Sequence, residues 1–70
     1  MKVLFLDTVH PILARRLSEA GMACVDATDA HPLEGVRQHP DAAGIVLRSR
    51  IRVDADLLDQ LPDLRFICRS

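Results

Sequence analysis

Apolar residues fall along this chain in short bursts separated by polar stretches that carry proline or glycine. The first burst, VLFL, lies within Lys2–Leu6 and stops at Asp7 and Thr8. Its length and its valine predict a buried strand. Pro11 then suits the first turn of a helix on which Leu13 and Leu17 share one face, while Arg15, Arg16 and Glu19 occupy the others. Gly21 is placed to end that helix. Met22–Val25 predicts a second, weaker strand, and the Asp, Thr and Pro residues of DATDAHP predict the loop after it. Pro32 opens a short second helix with Leu33 and Val36 facing inward, although Gly35 lowers its propensity; Pro40 closes it.

Ala43–Leu47 reads AGIVL, apolar on both faces, as expected of a parallel strand covered by helices on two sides. Polarity returns at Arg48. Asp54 is a suitable N-cap for a third helix, with Val53 positioned to staple onto Leu58 and with Leu57, Leu58 and Leu61 as the buried face. Pro62 ends it, and Leu64–Cys68 makes a fourth strand. Parallel neighbours need long, right-handed crossovers. The alternation therefore predicts an α/β fold with a parallel sheet of four strands and three helices, which as a doubly wound sheet has the order 2-1-3-4. No repeat, low-complexity run or linker divides residues 1–70. The last strand has no helix after it, so the sheet is expected to be incomplete, the start of a larger domain.

Composition narrows the function. Hydrophobic residues make up 49% and charged residues 27% of the 70 positions, a globular balance. A chain this short buries only roughly 60% of its unfolded surface, so marginal stability is expected. Nine basic and ten acidic side chains leave a net charge of -1, which offers no general attraction to nucleic acid or to an anionic membrane. Any anion site must be local. Asp7 breaks the first apolar run too early for a signal peptide or a membrane span, which makes the cytoplasm the expected compartment. Cys24 and Cys68 each sit in an apolar run and read as buried core thiols. In a 2-1-3-4 sheet they would stand roughly 14 Å apart, beyond the roughly 7 Å between Cα atoms that a disulfide tolerates.

Ligands of open parallel sheets bind beyond the carboxyl ends of the strands, which directs attention to Asp7–His10, Asp26–His31, Arg48–Arg52 and Arg69 onward. If RSRIR stays extended, Arg48, Arg50 and Arg52 share one side with Ser49 between them. Their planar guanidinium groups suit a carboxylate or phosphate. Two readings stand open: a local anion site, or a solvated rim whose arginines pair with Asp54, Asp56 and other acids. His10 and His31 match no compact metal motif and read as exposed loop histidines, with His39 at the opposite end of the sheet. No G-x-G-x-x-G or G-x-x-x-x-G-K occurs, so the chain holds no nucleotide fingerprint.

The string AGIVLRSRIRVDADLLDQLPDLRFICRS, together with KVLFLD and its helix, resembles the N-terminal substrate-domain region of the D-isomer-specific 2-hydroxyacid dehydrogenases, above all their phosphoglycerate dehydrogenase branch. Gly44–Ser70 carries the specific part of the likeness, and residues 1–43 match only in general pattern. The resemblance implies an NAD-dependent, homo-oligomeric oxidoreductase that acts on a small anionic D-2-hydroxy or 2-keto acid. Such an enzyme has a flavodoxin-like substrate domain and a Rossmann NAD domain; residues 1–70 would be the N-terminal part of the former, and the latter would lie outside this chain. It makes Arg48 and Ser49 the substrate-binding candidates, with Arg69 and Ser70 leading toward a glycine-rich substrate loop. The family's catalytic arginine, glutamate and histidine lie farther along, so no catalytic residue and no activity of the isolated chain are expected. Ile51 stands where the family commonly has threonine. The alternative is a standalone flavodoxin-like module for signalling or self-association. A receiver-type module would need an aspartate after the third strand, where this chain has Arg48, Ser49 and Arg50.

Overall fold

In the computed structural model, which describes residues 1–69, the centre of the molecule is a strand buried on both faces. This is β3 (Gly44–Leu47), and its four residues are all buried. It lies between β1 (Lys2–Phe5) and β4 (Phe66–Arg69), while β2 (Ala23–Asp26) forms the far edge beyond β1. All pairings are parallel and the order is β2-β1-β3-β4, as expected of a doubly wound sheet. Ser70, and with it the start of the expected substrate loop, lies outside the described residues.

Alternation along the strands divides the core in two. On one face Leu4, Leu6, Ile45 and Leu47 pack with Val36 of α2 (Pro32–Gln38) and Leu57 of α3 (Ala55–Asp59). On the other face Val3, Phe5 and Val46 meet Leu13, Ala14 and Leu17 of α1 (Pro11–Glu19). The second face thus has a single helix. Phe66 and Cys68 of β4 are half-buried on that face, and Ile67, on the opposite side of the same strand, is 42% exposed.

Two glycines are explained by close approach. A Cβ on Gly44 would run into the ring of Phe66, its partner in the β3–β4 register. At Gly35 a Cβ would meet Ala27 Cβ at 3.3 Å and Leu6 Cδ2 at 3.4 Å, so the residue that lowers the propensity of α2 also lets that helix settle onto the sheet. Gly21, at φ 89°, makes the left-handed turn after α1.

Several local expectations are corrected. Strand β2 starts one residue later than predicted and ends on Asp26, while β4 starts at Phe66 rather than Leu64. Leu58 is 40% exposed, so it does not join the buried face of α3. With only five residues in the helix, Leu57 and Leu61, four apart, cover the available core between them. Cys24 and Cys68 occupy the two edge strands, with β1 and β3 between them, and are half-buried free thiols rather than core residues.

Candidate functional site

The carboxyl ends of β1 and β3 are neighbours in the sheet, yet the crossovers leaving them run in opposite directions, toward β2 and toward β4. The crevice of an open sheet lies at such a switch point. Asp7 follows β1 there and is only 7% exposed. Its Oδ1 accepts the Thr8 N–H at 2.7 Å, and its Oδ2 accepts Arg50 Nε–H at 2.5 Å. The Arg50 hydrogen bond holds the Asp7 carboxyl below its ordinary value. Withdrawal from water opposes this, while the Thr8 N–H and the charges of Arg50 and Arg48 reinforce it.

The RSRIR segment does not stay extended. Ile51 N–H donates to the Arg48 carbonyl at 3.0 Å, closing a turn through Ser49 and Arg50, and Ile51 drops into the core at 5% exposure. Burial of Ile51 bends the chain, and the three arginines separate as a result. Arg50 folds back to Asp7, Arg52 lines a cleft between α2 and α3, and Arg48 stays exposed at the end of β3. The rim reading foresaw pairing with Asp54, Asp56 and other acids; the acid that pairs with Arg50 is Asp7. Asp54 serves as the predicted cap of α3, accepting Leu57 N–H at 3.0 Å.

Arg48 and Ser49, the substrate-binding candidates, are exposed side by side at the start of this turn. Arg48 makes no ion pair among the described residues, and its charge still reaches Asp7. Arg69, at the end of β4 and level with Leu47, is exposed on the neighbouring strand. The strand end therefore presents guanidinium groups on a rigid edge, an arrangement able to take the carboxylate or phosphate of a small acid.

No protein-family model matches the chain, and no curated protein matches it in sequence.

Two cavities flank the ion pair. One, of about 290 Å³, lies between the ends of β1 and β2, with Phe5, Val9, Ala14 and Cys24 among its apolar walls and Asp7 and Asp26 among its polar ones. The other, of about 360 Å³, lies between α2 and α3 and includes Arg50 and Arg52. Arg48 and Ser49 line neither of these two cavities. Asp26 accepts from Thr28 through both its hydroxyl and its N–H, at 2.7 and 2.9 Å, and these bonds lower its pKa.

The sequence reading missed the role of two histidines. His10 and His31 each precede a proline, and each Nδ1 accepts the N–H two residues on, Ile12 or Leu33, at 3.2 Å. Both rings cap helices, α1 and α2. The repeated His-Pro dipeptide was the available signal: proline at the first helical position leaves the preceding side chain to take up an orphan N–H. His39 lies at the amino end of the sheet as expected, near Lys2, which pairs with Asp41 at 2.9 Å.

Gly21, Gly35 and Gly44 stand apart, and no described strand leads into a glycine-rich turn. Among the described residues, no helix is long and apolar enough to cross a membrane.

Proposed function

We propose that this chain is the N-terminal part of the substrate-binding domain of an NAD-dependent dehydrogenase acting on small D-2-hydroxy acids, in which Arg48 and Ser49 help to hold the substrate's carboxylate or phosphate. The observation that carries this reading is Arg48, exposed and without an ion pair among the described residues, at the carboxyl end of β3 beside the switch point between β1 and β3. Asp7 pairs with Arg50 and not with Arg48. A fixed cation at a strand end orients a substrate by a bidentate contact, which raises the effective concentration of the reacting carbon at a hydride acceptor. In this reading NAD is held by residues other than those described, and the whole enzyme works as a cytoplasmic homo-oligomer.

The test is the intact gene product isolated from its source cells, assayed for NAD-dependent oxidation of a panel of D-2-hydroxy acids, 3-phosphoglycerate included. Turnover is expected, with Arg48→Ala raising KM for the acid by about tenfold or more, the worth of one charge-assisted hydrogen bond. A gene product of 7.8 kDa without turnover would overturn the reading. It would favour the second one, a self-associating module, which the 42% exposure of Ile67 on the edge strand supports.

A further inference from the structure

The cleft between α2 and α3 holds charges of both signs that do not satisfy one another. Arg52 and Asp56 line it and make no hydrogen bond or ion pair among the described residues through their side chains. Asp54 uses Oδ1 to cap α3, and its second oxygen has no partner among the described residues. Arg50 is tied to Asp7 through Nε alone; its side chain is 62% exposed, and its two terminal nitrogens have no partner among the described residues. Asp7 therefore holds the guanidinium through Nε and leaves those two nitrogens able to donate. Beneath these groups the floor is apolar: Ile51 and Leu57 are buried, and Leu33 packs against the same core.

A simple anion suits this cleft poorly. Asp7 already offsets Arg50, and Asp54 and Asp56 together outweigh Arg52. A simple cation would face two guanidinium groups. A ligand that carries both charges close together complements a lining that holds both, and an apolar substituent would cover the floor.

We propose that the α2–α3 cleft binds a small zwitterion with an apolar side chain, in chemical class an apolar α-amino acid. Its carboxylate contacts Arg50 and Arg52, its ammonium contacts Asp54 and Asp56, and its side chain rests on Leu33, Ile51 and Leu57. The cavity, at about 360 Å³, is large enough for such a molecule. The site is separate from Arg48 and Ser49, and its existence does not depend on the dehydrogenase reading.

The experiment is a titration of the isotope-labelled 70-residue chain with leucine, followed through backbone amide shifts in heteronuclear NMR. Parallel titrations use 4-methylpentanoate, which lacks the ammonium, and 3-methylbutylamine, which lacks the carboxylate. Leucine is expected to give saturable shifts at Leu33 and across residues 50–57, and each analogue to bind at least about tenfold more weakly. Arg52→Gln and Asp56→Asn, both at exposed positions, are expected to weaken leucine by about the same factor without disturbing the rest of the spectrum, and Arg48→Ala to leave it unchanged. The absence of saturable shifts with leucine, or equal binding of either analogue, would overturn the proposal.

Discussion

Asp7 and Arg50, 43 residues apart in the chain, join the ends of two adjacent strands through one hydrogen-bonded ion pair. The carboxylate is nearly buried and the guanidinium largely exposed, so the pair anchors a surface turn to the edge of the core. It also decides which arginine is free at the strand end and how the α2–α3 cleft is charged.

The pair gives stability a definite pH dependence. Asp7 is held below its ordinary value of 3.8, so its contribution is fully present above that value and is lost as pH falls through the lower, folded one. In urea melts at a series of pH values, Asp7→Asn is expected to be less stable than the parent at neutral pH and to show a shallower loss on acidification. The remaining slope belongs to Asp26 and Asp41, whose values are also lowered, by Thr28 and by Lys2. An unchanged acid slope in Asp7→Asn would show that the pair has no energetic role.

Gly44 lies beneath the ring of Phe66, and the ring has no room to spare. Gly44→Ala is expected to cost about 1–3 kcal/mol in chemical denaturation, the usual range for overpacking a well-filled site. Combined with Phe66→Leu it should cost less than the sum of the two single changes, because the smaller side chain admits the new methyl. Strict additivity would mean that the ring and the glycine do not interact.

Leu57 and Leu58 are adjacent and chemically identical, yet Leu57 is 3% exposed and Leu58 is 40% exposed. Leu57→Ala is expected to lose about 2–5 kcal/mol, as core truncations do. Leu58→Ala should cost far less, near the roughly 0.5 kcal/mol typical of surface positions. Equal losses, measured as denaturation midpoints, would place Leu58 in the core after all.

Strand β4 has an edge that no strand pairs with among the described residues, and it shows Ile67 to solvent. Light scattering of the 70-residue chain is expected to show association that grows with concentration, and Ile67→Lys is expected to reduce it, since an edge lysine opposes strand pairing. A chain that stays monomeric at high concentration would remove the edge as an interaction surface.

Much of the architecture is legible in the order of residues alone. Bursts of apolar residues, the prolines at 11, 32, 40 and 62, Gly21 and the Asp54 cap mark out the elements, and the observed strand order is that of a doubly wound sheet with right-handed parallel crossovers. These signals are local, and each acts through backbone conformation or burial within a few residues. What only the tertiary structure decided is how distant polar groups share the strand ends. Burial of Ile51 turns a stretch that alternation alone would keep straight, and the turn delivers Arg50 to Asp7 instead of aligning it with Arg48 and Arg52. The same holds for Gly44, which reads as an ordinary strand residue until β4 brings Phe66 over it. Periodicity tells a side chain which face to occupy; its partner across the sheet is set by packing, which no run of neighbouring residues encodes.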